Sequence, residues 1–188
     1  MEFIDRKTIK LDKVPTLLDK FVVDFVKVLE KHAGYVIVSG YVSILFGRSR
    51  ATEDIDILIE KMNADEFKSL YSDLKDNGYW CLEAESVDGI MGALLGGLAV
   101  RFAKKPNVIP NMELKFVKNP VEKKAVATAI GVVMKTGKIR ISSIELQIAY
   151  KEKVLKSEKD MEDARHLETV FKSNIDHKLL GKYREMLE

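Results

Sequence analysis

The stretch that decides the fold reads VSGYVSILFGRSRATEDIDIL over residues 38–58. Its end, Asp54-Ile55-Asp56-Ile57-Leu58-Ile59, has the period of a β-strand. Asp54 and Asp56 therefore share one face, about 7 Å apart, and the three isoleucines share the other. Neighbouring carboxylates repel, and each raises the other's pKa unless a cation neutralises them. At the mouth of a buried strand the natural cation is a hard divalent ion with oxygen ligands, Mg2+ or Mn2+. An isolated Asp-x-Asp also has a plainer reading, the solvated start of a strand. The residues upstream add weight to the metal. Ser39-Gly40 ends one strand and opens a helix, where a glycine lets a phosphate approach the free backbone N–H groups. Arg48 and Arg50 lie on the loop before the carboxylates and have the fork that binds phosphate oxygens bidentately.

Outward from this stretch the chain alternates helical and strand patterns. Apolar residues at Leu17, Leu18, Phe21, Val22, Phe25, Val26 and Leu29 predict an amphipathic helix over 16–31. Tyr35-Val36-Ile37-Val38 reads as a buried strand, and residues 42–46 as a short helix. Asn63-Ala64-Asp65-Glu66 is a capping-box start for a helix reaching about Asp76. A strand is expected over 79–82. Residues 87–97, with four glycines, read as a loop with a short helix at most. Two hairpins are expected, 98–103 with 112–117 and 131–134 with 138–141, separated by a short helix over 121–128. From Ser142 the pattern is helical, with segments ending near Lys156, Phe171 and Leu187. The expected fold class is α+β, a mixed sheet flanked by helices. The expected division is an α/β domain over 1–141 and a helical extension over 142–188 packed on it.

Composition narrows the function. With 188 residues and 46% hydrophobic residues the chain can bury an ordinary core. Charged residues make up 32%, and no apolar run approaches the roughly 20 residues of a spanning helix. The start, MEFIDRKTIKLDK, is too charged for a signal peptide. Cys81 is the single cysteine, which excludes an internal disulfide and a four-cysteine zinc site and suggests a cytoplasmic setting. Net charge is +2 but uneven: −5 over 1–100, +9 over 101–159 and −2 over 160–188. That distribution suits a metal site beside an anion-binding surface, and equally lysines coating solvated faces.

The order hydrophobic-Ser39-Gly40, then Asp54-x-Asp56 beginning 14 positions after the glycine, resembles the signature of DNA polymerase β-type nucleotidyltransferases. Gly47, Arg50, Thr52, Asp54, Ile55 and Asp56 are most similar to a minimal prokaryotic branch that includes the AbiEii toxins of type IV toxin–antitoxin systems. Further on, Ala149-Tyr150-Lys151 and Lys159-Asp160-Met161-Glu162-Asp163 resemble that branch's Ala-x-Lys and Arg/Lys-Asp-x-x-Asp helices. The resemblance implies a nucleotidyltransferase sheet, a nucleoside triphosphate as co-substrate, Mg2+ or Mn2+, and transfer of a nucleoside monophosphate to a hydroxyl of tRNA, a protein or a small molecule. An antitoxin partner belongs to the same implication. It places Ser39, Gly40, Tyr41, Arg48, Arg50, Thr52, Lys151 and Asp160 around the nucleotide. For Lys151 a solvated helix lysine is the other reading; for Asp160 it is a cap answering Ser157. Tyr41 is a departure, since the family carries a small residue there; its ring must turn away or stack.

A two-metal phosphoryl-transfer site usually takes a third carboxylate from a neighbouring strand. Glu113, in Asn111-Met112-Glu113-Leu114-Lys115, shares a strand face with Lys115 and is the expected third ligand beside Asp54 and Asp56. Its other reading is an exposed strand glutamate facing Lys115 and Arg101. The sequence thus points to a metal-dependent nucleotidyltransferase. The alternative is a catalytically weak nucleotide- or partner-binding module on the same fold.

Overall fold

The computed structural model describes residues 1–188. The chain opens with β1 (Glu2–Asp5) and β2 (Thr8–Lys10), then α1 (Leu17–Leu29), β3 (Tyr35–Ile37), α2 (Gly40–Leu45) and β4 (Asp54–Ile59). Next come α3 (Ala64–Asp76), β5 (Tyr79–Cys81), α4 (Val87–Gly96), β6 (Val100–Lys104), β7 (Asn111–Phe116), α5 (Pro120–Ala127), β8 (Ile130–Met134) and β9 (Gly137–Ile141). The rest is α6 (Ile144–Tyr150), continued by a π-helical turn over Lys151–Leu155, then α7 (Glu158–Val170) and α8 (His177–Met186).

Local chemistry sets the helix boundaries. Thr16, Asn63 and Asn119 close reciprocal capping boxes with Asp19, Glu66 and Glu122, satisfying N–H groups that a helix start leaves free. Ser157 accepts from the Asp160 N–H at the head of α7. Gly97, at φ 88°, ends α4 in the left-handed region that glycine adopts without steric cost.

All nine strands form one mixed sheet in the order β1-β2-β8-β9-β3-β4-β7-β6-β5. β3 pairs antiparallel with β4, and β4 pairs parallel with β7. The two expected hairpins are present as antiparallel pairs β6–β7 and β8–β9. On the far side of β4, Ile55, Ile57 and Ile59 are fully buried in a continuous apolar core. That core runs from Ile9 near the start to Leu167, Phe171 and Tyr183 in the last helices. No helix is long and apolar enough to cross a membrane.

Two expectations need correction, and two strands were not expected at all. β1 and β2 had no sequence signal: β1 is exposed throughout and β2 buries Ile9 alone. Residues 87–97 are no loop. They form a full helix capped by Ser86, because Ile90, Met91 and Leu94 find buried places that outweigh the weak helix propensity of Gly89 and Gly92. The helix expected to reach Lys156 is regular only to Tyr150; beyond that it widens, and Lys156 is left-handed at φ 59°.

Candidate active site

β4 and β7 run side by side with Asp56 opposite Glu113 and Asp54 opposite Asn111. Alternation puts Asp54, Asp56 and Leu58 on one face with Glu113 and Lys115. Asp54 is exposed; Asp56 and Glu113 are partly buried. The Lys115 ammonium lies 3.3 Å from Asp56 Oδ1 and 2.5 Å from Glu113 Oε1. Burial raises the Asp56 pKa; Lys115 opposes that and the Glu113 charge adds to it. Burial alone would lower the Lys115 pKa, but its bonds to Glu113 and Asp56 outweigh that and raise it.

Beside the carboxylates, the chain turns from β3 into α2 at Ser39. Its backbone has φ 65° and ψ −138°, a sparsely populated conformation for a residue with a side chain. The turn is held from outside: the Ser39 N–H donates to Oε1 of Gln147 in α6 at 3.1 Å. Gly40 follows, and its missing side chain makes room for an arginine. A Cβ at Gly40 would lie 2.7 Å from Arg50 Nη2 and 3.1 Å from Cζ. Tyr41 turns its ring inward, is 1% exposed, and donates its hydroxyl to Asp19 Oδ1 at 2.8 Å. Asp19 in turn takes bonds from Thr16 and Lys13, and Lys13 also reaches the carbonyl of Leu45 at the end of α2. The large residue at 41 thus pins α2 to the head of α1.

Arg48, Arg50, Lys151 and Asp160 gather around Asp163, a fully buried carboxylate in α7. Arg50 Nη1 reaches Asp163 Oδ2 at 2.7 Å and Lys151 Nζ reaches it at 2.9 Å. Lys151 Nζ also lies 3.2 Å from Asp160 Oδ1, and Arg48 pairs with Glu162 and, at 3.6 Å, with Asp163. Lys151 is fully buried, so it is no solvated helix lysine. Asp160 serves both as the cap partner of Ser157 and as the lysine's partner. Burial would raise the Asp160 pKa, but the Ser157 hydrogen bond and the Lys151 charge prevail and lower it. Both arginines, expected to face phosphate, are held by carboxylates of α7 in this structure. Thr52 donates its hydroxyl to the carbonyl of Asp54 at 2.9 Å and so steadies the entry to β4.

A cavity of about 160 Å3 opens next to Asp56, Ser39 and Lys115. Its far wall is Val121 and Ala125 of α5 with Leu146 and Tyr150 of α6. The hydroxyl of Ser142, on the same wall, is buried without a partner.

No protein-family model matches the chain, and no curated protein matches it in sequence. Solved structures do. ANT(2")-Ia, in complex with adenylyl-2"-tobramycin, superposes with a TM-score of 0.55 over 92% of this chain and 100% of its own, at 13% identity. The lincosamide antibiotic adenylyltransferase LnuA, lincomycin-bound, gives 0.54 over 84% and 99%, at 15% identity. An antigenic nucleotidyltransferase-like protein from Paracoccidioides brasiliensis gives 0.52 over 89% and 86%, at 16% identity. The chain has the nucleotidyltransferase fold.

On this nucleotidyltransferase fold, three carboxylates sit on adjoining strands, a set of hard oxygen donors of the kind Mg2+ or Mn2+ takes. They have the donor chemistry for such an ion, and Asp56 and Glu113 are register partners. Their side chains are not drawn into a three-ligand cluster, and between Asp56 and Glu113 it is Lys115 that supplies positive charge. The sequence signal missed Asp163, although it is the second aspartate of the Lys-Asp-x-x-Asp pattern. It also missed Gln147, the chain's single glutamine, and Asp19, whose partner Tyr41 lies 22 positions away. Gln147 and Asp163 act across more than 100 positions, which no local spacing reveals.

Proposed function

We propose that the protein transfers a nucleoside monophosphate from a nucleoside triphosphate to an acceptor hydroxyl and releases pyrophosphate. The observation that carries this reading is the in-register pair Asp56–Glu113 beside the Ser39 turn and the cavity, on a nucleotidyltransferase fold. Asp54, Asp56 and Glu113 would hold a divalent ion, which when bound neutralises phosphate charge and acidifies the acceptor hydroxyl. The acceptor oxygen attacks the α-phosphorus, the bond to pyrophosphate breaks, and the hydroxyl proton passes to the Asp56–Glu113 pair. The Ser39–Gly40 turn presents its backbone to the phosphates, and Lys151 with Asp160 and Asp163 holds Arg50 against that turn.

The reacting end of the acceptor would enter the cavity walled by Tyr150, Leu146 and Val121, next to Asp56. ANT(2")-Ia and LnuA carry antibiotic ligands. For this chain the +9 charge of residues 101–159 favours an anionic acceptor, tRNA, over a small molecule or a protein. The toxin-like resemblance adds an antitoxin as partner, and the single cysteine a cytoplasmic setting. A catalytically weak nucleotide-binding module is the second reading, favoured by the engagement of Arg48 and Arg50 with α7.

The deciding experiment measures pyrophosphate release with each nucleoside triphosphate, Mg2+ or Mn2+, and candidate acceptors including bulk tRNA. Transfer by the wild type and a loss of about three orders of magnitude or more in Asp56→Asn are expected. Release unchanged in Asp56→Asn would refute the mechanism. A metal-dependent nucleotide thermal shift without transfer to any acceptor would select the second reading. If tRNA is the acceptor, its binding should weaken steeply between low and high salt; a flat response rejects it.

A further inference from the structure

Lys115 is an unusual neighbour for a pair of carboxylates meant for a metal. It is held by β7, two residues from Glu113 and on the same face, while the register sets it opposite Leu58 rather than Asp56. Its side chain therefore leans along the strand to reach both Asp56 and Glu113. It is about a third exposed and lines the cavity, so its four-carbon stem has open space to swing into. An ammonium and a divalent ion on the same two carboxylates repel each other at close range.

We propose that Lys115 is a tethered cation that competes with the divalent ion for Asp56 and Glu113, so that metal enters only as the lysine swings out over the cavity. This rests on the nucleotidyltransferase reading of the same carboxylates. In the resting protein the ammonium neutralises the pair and keeps metal affinity low. An incoming triphosphate supplies the counter-charge that draws the ammonium away. Metal and nucleotide then strengthen each other's binding, as linkage requires. Lys115 is thus a positioning residue that makes metal loading depend on substrate.

The test is a titration with Mn2+ alone, followed by electron paramagnetic resonance and calorimetry, on wild type, Lys115→Met, Lys115→Arg and Lys115→Met/Asp56→Asn. Circular dichroism checks each fold, and Lys115→Gln is a second uncharged variant should Met disturb packing. The uncharged variants should bind Mn2+ about tenfold tighter than wild type or better. Lys115→Arg should stay near wild type, and Asp56→Asn should erase the gain. Uncharged variants with unchanged or weaker affinity overturn the proposal, as does a gain that survives Asp56→Asn. Pyrophosphate release is scored separately. A wild type that transfers while the uncharged variants gain nothing sinks this inference alone. A gain in a chain that transfers to no acceptor removes the enzyme and leaves the inference standing.

Discussion

Tyr41 turns what looks like a misplaced large residue into a fastener. Its hydroxyl and the Lys13 ammonium both meet Asp19, a carboxylate 1% exposed. Burial works against the Asp19 charge, but bonds from Thr16, Lys13 and Tyr41 prevail and lower its pKa below the ordinary value. A depressed carboxylate pKa contributes stability above its unfolded value, and that contribution is lost as pH falls through the folded one. Tyr41→Phe removes one donor and should cost about 1–2 kcal/mol at neutral pH. The folded pKa of Asp19 then rises, so acid destabilisation begins at a higher pH than in wild type. Urea unfolding from pH 7 down to pH 3 reads both effects; coincident curves would mean that the bond contributes nothing. The sequence showed the size of residue 41 but not its destination. A tyrosine hydroxyl has no local signature, and its partner belongs to a capping box two elements away.

α7 carries a different kind of fastening. Asp163 is buried with Lys151 and Arg50, and breaking such a group by removing one member leaves uncompensated charge inside the protein. Asp163→Ala should cost about 3–5 kcal/mol, whereas Lys151→Met/Asp163→Leu should cost clearly less than the two single changes added together. Additive losses in a double-mutant cycle would show that the cluster is no unit. Gly40 belongs to it too, because the Arg50 guanidinium rests where its side chain would stand. The glycine reads from sequence as room for phosphate, and in this structure the Arg50 guanidinium lies beside that turn. Elements with strong periodicity or capping boxes were legible, such as α1, α3, β4 and both hairpins. α4 was not, since glycine lowers intrinsic propensity and the packing that rescues Ile90, Met91 and Leu94 is tertiary. The π-helical turn that begins at Lys151 was not legible either, because the residue spacing there does not distinguish it from an α-helix.

At the scale of the whole molecule, one sheet joins strands from the start of the chain to strands more than 120 residues later. β2 pairs with β8, and β9 pairs with β3. Such neighbours are set by long-range pairing, so the sheet order could not be read from alternation alone, although the parallel placement of β4 beside β7 gives the predicted trio of carboxylates its common face. The apolar core is equally undivided: Leu146, Ile148, Leu167 and Phe171 pack in the same cluster as Val36 and Ile57. A chain cut after residue 141 should therefore show no nucleotide-dependent thermal shift and no cooperative melting. A cooperative transition in that fragment would mean that the front 141 residues hold together without the helices. The bond from Ser39 to Gln147 has a consequence in the order of synthesis. A ribosome makes the turn early and its anchor late, with Asp163 later still. Until Gln147 and Asp163 have been added, the nascent chain carries its acidic pair without the side chains that hold the turn and Arg50 beside it.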